Sequence, residues 1–367
     1  MTRQDEVAAK LGRVRDWMAA EGHAAVALTT QANFAWITAG GDNHVASTTD
    51  AGVAPVVITA EGQYLLANNI EAVRMAAEET GDLPFEIRQM NWWEEDRDAL
   101  LAGIVSGGSI ATDGAWPGSA KGCAGPIAAL RWALLPPEIE RFRELGRLSS
   151  QALTETANET APGMTEHEIA GILGGKLVAQ GCIPGVLLIA TDERISRFRH
   201  PIPTDKRLER TAMLVIGARK WGLGLSATRL VHFGELPGEL AEKHRAVCTV
   251  DACFTHGTKV GARVADIFAA ALQAYADTGF GDEWKLHHQG GATGYAPRDY
   301  RGGLNSPHVV LPNQAFAWNP SITGTKSEDT IIATPAGTEV LSPAVDWPML
   351  QIEYGGDVVE RPDILTR

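Results

Sequence analysis

The chain has 367 residues, of which 44% are hydrophobic and 21% are charged. Its length favours two domains, because a single hydrophobic core rarely grows beyond roughly 250 to 300 residues, and its composition excludes disordered and fibrous proteins. The formal net charge of −13 at pH 7 argues against nucleic acid or an anionic membrane surface as a partner, because both require basic patches.

The first third of the chain predicts a mixed sheet with flanking helices. The N-terminus has no apolar stretch of signal-peptide length, and no later segment is long and apolar enough to span a membrane, so a cytoplasmic location is expected. One helix face is predicted from the spacing of Val7, Leu11, Val14 and Met18. Short buried strands are predicted after this helix, at 24–30, 33–40, 54–60 and 63–69.

A domain boundary is predicted near residue 135, so that residues 1–135 form the first domain and residues 136–367 the second. Pro137 suits the first turn of a helix, and Thr165 with Glu168 predicts a capping box at the start of another. Further helices are predicted at 239–257 and 264–276, and strands at 186–192, 212–221 and 329–337. The predicted fold class is α/β (α+β).

The cysteines of the chain do not indicate a metal or redox site. They lack the spacing of a CxxC motif and are too few for a disulfide framework, so reduced and buried thiols are expected. Cys248 and Cys253 lie on one predicted helix and are expected to face different ways.

Five motifs follow one another along the second part of the chain. They are PGMTEHEIA (162–170), RFRHPIPTDKRLERTAMLVIGA (197–218), GLGLSATRLVHFGELP (222–237), HHQGGATGY (287–295) and WNPSITGTKSEDTIIATPAG (318–337). In this order they resemble the catalytic domain of the creatinase, aminopeptidase P and prolidase superfamily (peptidase M24), which has the pita-bread fold. The first part, with NFAWITAGG (33–41), resembles the creatinase-type N-terminal domain.

The resemblance implies that the two-metal centre of the family has been lost. Family peptidases hold two metal ions with two aspartates, one histidine and two glutamates, and the paired ions activate a water. The positions that match these ligands are, in chain order, Val215, Ser226, Gly291, Asn319 and Glu328. Because only Glu328 keeps its carboxylate, we expect no metal and no other cofactor, as in creatinase.

The resemblance also indicates which residues carry the chemistry. His200 matches the histidine that is the general acid/base in creatinase, and an imidazole suits proton transfer at neutral pH. Glu328 is expected to act as a base or to orient a water or a histidine. His287, a catalytic candidate, matches a position that contacts substrate, and His288 is a candidate for substrate binding. Only one of the two is expected to face the site, because adjacent strand residues point to opposite sides, and His287 is favoured.

The remaining candidate residues are expected to bind the substrate. Arg298 lies where creatinase has an arginine that binds the substrate carboxylate, and its planar fork suits that role. His44 lies in a stretch that in creatinase reaches the site of the neighbouring subunit. Two carboxylates that grip a guanidinium group in creatinase are replaced here, so the bound group is expected to be neutral. The other expected contacts are Ser226, Thr228, Tyr295 and Asn319.

Three functions remain open from the sequence. The first is a metal-independent hydrolase that cleaves an amide, amidine or cyclic C–N bond in a small substrate with a carboxylate. The second is a catalytically inactive relative that binds a peptide or small ligand, and the third is an Xaa-Pro metallopeptidase with altered ligands. The expected partners are a small-molecule substrate and a second copy of the chain in a homodimer, with no nucleic acid and no membrane.

Overall fold

The computed structural model describes residues 1–94 and 96–367. The chain forms two compact units. The first comprises Met1–Arg131, Leu135–Glu138 and Trp221–Leu223, and the second comprises Trp132–Leu134, Ile139–Lys220 and Gly224–Arg367.

The first unit is built on a six-stranded mixed sheet. Its helices are α1 (Arg3–Glu21), α2 (Gln31–Ile37), α3 (Glu71–Arg74), which continues as a π-helical segment (Met75–Thr80), α4 (Arg97–Ala102) and α5 (Ala124–Ala129). Its strands are β1 (His23–Thr30), β2 (Ala51–Thr59), β3 (Gln63–Asn68), β4 (Glu86–Met90), β5 (Ser109–Thr112) and β6 (Lys121–Gly122). The spatial order is β4-β3-β2-β1-β5-β6, with antiparallel pairs in the middle and parallel pairs at both edges. The predicted mixed sheet is confirmed.

One predicted strand of the first unit is a helix instead. The segment 33–40 was expected to be a strand, but α2 occupies most of it. The Thr30 hydroxyl accepts the backbone N–H of Asn33 and caps the helix. Because Phe34, Ala35 and Trp36 are all buried, the segment is apolar on every side and has no periodicity that distinguishes a buried helix from a buried strand. The predicted face of α1, by contrast, is confirmed, since all four of its apolar residues are buried.

The second unit combines long helices with two main sheets. Its helices are α6 (Pro136–Glu159), which begins at the edge of the first unit, α7 (Glu166–Ala179), α8 (Glu193–Arg197), α9 (Gly238–Gly257) and α10 (Val264–Asp277), with a 3-10 turn at Glu283–Leu286. Its strands are β7 (Ile183–Thr191), β8 (Thr211–Lys220), β9 (Leu223–His232), β10 (Gly290–Thr293), β11 (Tyr300–Arg301), β12 (Gln314–Trp318), β13 (Ser321–Ile322), β14 (Thr325–Lys326), β15 (Asp329–Thr334), β16 (Gly337–Val340), β17 (Met349–Tyr354), β18 (Asp357–Pro362) and β19 (Leu365–Thr366). The sheets have the orders β19-β9-β8-β7 and β11-β10-β12-β15-β16, and two hairpins, β13-β14 and β17-β18, complete the unit.

Local predictions for the second unit are confirmed. The Thr165 hydroxyl accepts the backbone N–H of Glu168 at 3.1 Å, and the Glu168 carboxylate accepts that of Thr165 at 2.7 Å, which completes the capping box. All four cysteines are free and buried. Within residues 1–94 and 96–367, no helix is long and apolar enough to cross a membrane.

A buried apolar core fixes the strands that lead to the candidate site. Phe254 of α9 stacks on Trp318 of β12 with ring centroids 4.4 Å apart, and Phe316 stacks on the same tryptophan. β12 and β15 are antiparallel neighbours, with Trp318 opposite Asp329. Asn319 follows β12 and Glu328 precedes β15, so the two residues lie at the same end of this strand pair.

A buried ion-pair network lies beside the same strand end. Asp329 accepts hydrogen bonds from Arg229 of β9 at 2.9 Å and from Arg361 of β18 at 2.6 Å. Arg361 also lies 2.6 Å from Asp251 of α9. Each of these charges has an opposite charge in contact, which is the condition for burying ionised groups.

Candidate active site

Three histidines of the second unit lie together at the candidate site. His200 follows α8 and is exposed, whereas His287 is buried. Their Nε2 atoms are 3.2 Å apart, within hydrogen-bond distance. On its far side, the His287 Nδ1 lies 3.3 Å from the Ser321 hydroxyl oxygen. The arrangement is a hydrogen-bonded chain that runs from a buried hydroxyl to an exposed imidazole.

Both histidines that follow the 3-10 turn face this site, which contradicts the prediction that only one of them can. The ring of His288 lies 4.6 Å from that of His287 and 5.7 Å from that of His200. The prediction assumed a strand, but β10 begins only at Gly290, and residues 287–289 are irregular. Alternation of side chains between two faces applies only within a strand.

The environment keeps the three imidazoles neutral. Burial, followed by the positive charge of Lys326, lowers the pKa of His287 to about 2. Burial and the charges of Arg298 and Arg301 lower the pKa of His288 to about 4. The pKa of His200 is also lowered. Although the residue is exposed, its ring packs against those of His287 and His288, and this partial burial is the first cause, followed by the charge of Lys326.

Glu328, the one family carboxylate that survives, is surrounded by donors. Its Oε2 accepts hydrogen bonds from the Lys326 ammonium at 2.6 Å and from the Thr228 hydroxyl at 2.8 Å. Its Oε1 lies 3.4 Å from Arg298 Nη2. Burial acts to raise the pKa of Glu328, but Lys326 and Arg298 outweigh it and hold the pKa below its ordinary value. Glu328 is therefore an ionised and weakly basic group.

The other predicted substrate contacts are divided between the two units. The Ser226 hydroxyl lies 3.5 Å from Arg298 Nη1, which joins it to the Glu328 group. Asn319 is buried, and its Oδ1 has no hydrogen-bond partner within the described part of the chain. Tyr295 is buried in the segment between β10 and β11. His44 belongs to the first unit, where its Nδ1 lies 3.7 Å from Asp42 Oδ1.

At the positions that the resemblance matches to the family's metal ligands, the residues present do not fit a pair of hard divalent ions. Val215 packs in an apolar cluster with Met213 and Leu230. Gly291 has a φ of 152°, and a Cβ on it would lie 2.2 Å from the carbonyl oxygen of Tyr300, so this backbone has no room for a histidine. Such ions require several anionic oxygens, and the only matched position that supplies one is Glu328, already bound by two cations.

The three histidines could offer a different set of ligands. Each supplies one ring nitrogen, and the three nitrogens lie within 4.8 Å of one another. An all-nitrogen set suits Zn²⁺, Cu²⁺ or Ni²⁺ rather than Mn²⁺ or Mg²⁺. The positive charges of Lys326, Arg298 and Arg301, which act on these rings, oppose binding of any cation there.

Two residues of the site were not predicted from the sequence. Lys326 lies two positions before Glu328, a spacing that could have indicated it, because residues i and i+2 of an extended segment share one face. Ser321 could not have been found in this way, because its contact with His287 depends on how β13 packs against the 3-10 turn.

Comparisons with known proteins agree with this architecture. The family model described as "Creatinase/Prolidase N-terminal domain" matches residues 10–144, and the one described as "Metallopeptidase family M24" matches residues 140–335. An uncharacterized peptidase from Staphylococcus aureus strain MW2 is 23% identical over 227 residues, which cover 59% of this chain. The match spans only 64% of that relative's length.

Solved structures share the fold over nearly the whole chain. An Xaa-Pro dipeptidase from Bacillus anthracis has a TM-score of 0.80 at 19% identity and covers 98% of this chain and 100% of its own. A prolidase from Pyrococcus horikoshii has a TM-score of 0.78 at 20% identity and covers 92% and 99%. The N-terminal domain of a FACT complex subunit from chickpea (Cicer arietinum) has a TM-score of 0.71 at 11% identity and covers 93% and 97%.

These comparisons confirm the predicted fold class, an N-terminal creatinase-type domain followed by a pita-bread domain. The second family model alone spans residues 140–335 of the 367, which is more than half of the chain. The protein therefore belongs to metallopeptidase family M24.

Proposed function

We propose that this chain is a metal-independent hydrolase that cleaves a C–N bond in a small substrate bearing a carboxylate. The observation that carries the proposal is the chain of contacts from Ser321 through His287 to His200, with lengths of 3.3 and 3.2 Å. In this arrangement the buried Ser321 orients His287, and His287 orients the exposed imidazole of His200. A base that is held by a chain of two further groups is typical of general acid/base catalysis.

His200 performs both proton transfers in this scheme. Its lowered pKa keeps the imidazole neutral at neutral pH, so it can take a proton from a water whose oxygen attacks the carbon of the C–N bond. The resulting imidazolium, a stronger acid than usual, then gives that proton to the nitrogen as the C–N bond breaks. One water is consumed, and the products are an amine and a carboxylic acid or its equivalent.

The remaining groups bind and orient the substrate. Asn319 Oδ1 is a buried acceptor without a partner in residues 1–94 and 96–367, and an N–H of the substrate would satisfy it. Arg298 is assigned to the substrate carboxylate. Glu328 is too weakly basic to be the general base, because Lys326 and Arg298 hold its pKa low; we assign it the role of positioning these two cations.

A second candidate function is a binding module without turnover. The contacts of Glu328 favour this function. Both oxygens of the carboxylate are engaged by donors, Thr228, Lys326 and Arg298, so Glu328 is not available as a catalytic base. Such a protein would use the same side chains for ligand contact. The two functions differ in one property: a binding module would release its ligand chemically unchanged.

The test is hydrolysis of a panel of carboxylated amides, amidines and cyclic C–N compounds in the presence of a chelator. Product formation that is lost in His200→Ala and kept in the matched control His167→Ala, an exposed histidine of α7, would support the proposal. Binding of a panel compound without any product would favour the binding module. Equal turnover by His200→Ala would remove the proposed mechanism.

An Xaa-Pro metallopeptidase with altered ligands is the third reading, and repeating the assay without chelator, with and without added Mn²⁺, separates it. Xaa-Pro dipeptides belong in the panel, because the similar structures include an Xaa-Pro dipeptidase and a prolidase. Cleavage of these dipeptides that requires added Mn²⁺ would establish a metal-dependent peptidase and overturn metal independence. We further propose a cytoplasmic homodimer, which sedimentation of the purified chain would test by its mass.

A further inference from the structure

Lys326 is a buried cation with unused hydrogen-bonding capacity. It ends β14, and its side chain is 6% exposed. Within residues 1–94 and 96–367, its ammonium makes one side-chain hydrogen bond, to Glu328 Oε2 at 2.6 Å. An ammonium has three donors. Two donors of Lys326 therefore remain for a bound molecule.

Arg298, which lies beside the other oxygen of the Glu328 carboxylate, also has unused hydrogen-bonding capacity. Its Nη1 donates a hydrogen bond to the Pro297 carbonyl oxygen at 2.6 Å. Its other two contacts are long: Nη2 is 3.4 Å from Glu328 Oε1, and Nη1 is 3.5 Å from the Ser226 hydroxyl. Its Nε is buried and has no hydrogen-bond partner in the described part of the chain. Guanidinium nitrogens left in this state are available for an acceptor oxygen.

The charges around Glu328 do not balance. Lys326 and Arg298 are two cations on one carboxylate, and the three imidazoles beside them are neutral. The neighbouring carboxylates are committed elsewhere: Asp329 is bound by Arg229 and Arg361. Glu283 is bound by Arg199 at 2.7 Å. Lys326 and Arg298 together carry one positive charge more than Glu328 neutralises, and a surplus held away from water is stabilised when a counter-ion joins it.

We propose that Lys326 and Arg298 together form a binding site for an anionic oxygen of the ligand, so that the substrate carboxylate contacts the Lys326 ammonium as well as the guanidinium. This inference deepens the proposed function and rests on it for the rest of the substrate. It names the substrate as an anion, because a negative charge offsets the surplus at Lys326 and Arg298. Lys326, which no resemblance indicated, becomes a residue that determines specificity.

Binding of a matched pair of probes to the full-length protein tests the proposal. N-acetylglycine carries an amide and a carboxylate, and N-acetylglycinamide is its uncharged counterpart. Calorimetric titration is expected to detect the acid and to show affinity for the amide at least about tenfold lower, the effect of one charge-assisted contact. Equal affinity for the two probes would overturn the proposal.

Variants assign the effect to Lys326. Lys326→Met is expected to weaken binding of N-acetylglycine at least about tenfold, and Lys326→Arg to restore most of it, because the charge returns. The matched control is Lys243→Met, a lysine of α9 that pairs with Glu239. Unchanged affinity in Lys326→Met would contradict the charge-balance argument.

These measurements also separate the inference from the proposed function. Charge-dependent binding without hydrolysis would leave the anion site in place and remove only the proposed catalysis. Hydrolysis of uncharged amides that depends on His200 and not on Lys326 would keep the proposed catalysis and remove the anion site. The comparison of the two probes needs no substitution, so the test of the anion site stays decisive even if the methionine variant does not fold.

Discussion

Replacing Gly291 by alanine is predicted to reduce the free energy of unfolding of the second unit by about 3 kcal/mol. The φ of 152° is one that residues with a Cβ adopt only at a cost of about 1–2 kcal/mol. The added Cβ would lie 2.2 Å from the carbonyl oxygen of Tyr300 and 2.7 Å from the backbone nitrogen of Gly302. Relief of this overlap requires a shift of β11, which adds about 1–3 kcal/mol.

Two other glycines of the same unit separate the two contributions. Gly279 has a φ of 84° with open space around its Cβ position, so Gly279→Ala is expected to cost about 1 kcal/mol for the backbone alone. Gly303 has neither a positive φ nor atoms close to its Cβ position, so Gly303→Ala is expected to leave the free energy of unfolding nearly unchanged. Urea denaturation followed by far-UV circular dichroism measures all three free energies on one scale.

The outcome bears directly on the absent metal ligand. If Gly291→Ala is as mild as Gly279→Ala, the backbone around position 291 has room for a side chain. The steric reason why no histidine can stand there would then be refuted. If Gly291→Ala lowers the free energy of unfolding most among the three variants, a histidine at this position would require β11 to move.

Three further predictions concern the charged groups of the site. In a pH–rate profile, the acid limb of kcat/KM should lie below the ordinary imidazole pKa of 6.5. Lys326→Met should move this limb to higher pH, because it removes one of the positive charges that lower the pKa of His200. Protein purified without chelator should contain well below one metal ion per chain by elemental analysis, and added Mn²⁺ should not raise activity. The stability of the fold should fall as pH drops below 6.5, because the unfolded chain binds a proton at His287 that the folded chain does not accept until about pH 2; denaturation at several pH values should show a shallower fall in His287→Asn.

Features that depend on neighbours in sequence were predictable. The apolar face of α1 and the capping box at Thr165 follow from spacing within one turn of helix, and both are present. The resemblance of ordered motifs predicted the two-domain fold, because those motifs mark turns and strand ends that the fold requires. The helix α2 was missed because a short segment buried on all sides carries no periodic signal.

Features of the site that depend on contacts between distant segments were not predictable. Arg298 is separated from Glu328 by 30 positions in the sequence, and only the folding of the loop after β10 brings its guanidinium to this carboxylate. The position of His288 depends on the irregular backbone before Gly290. The crowding at Gly291 depends on Tyr300 and Gly302, which no pattern around position 291 reveals.

The ion-pair network beside Glu328 constrains the order in which the second unit can mature during synthesis. Asp251 and Asp329 are both buried, and both depend on Arg361 for a counter-charge. Before Arg361 is synthesised, Asp329 can pair with Arg229 and Asp251 can accept a hydrogen bond from the Ser327 hydroxyl, but the cation that contacts Asp251 in the folded chain is missing. We therefore expect the core under the site to close only after β18 has been synthesised and is free to pack.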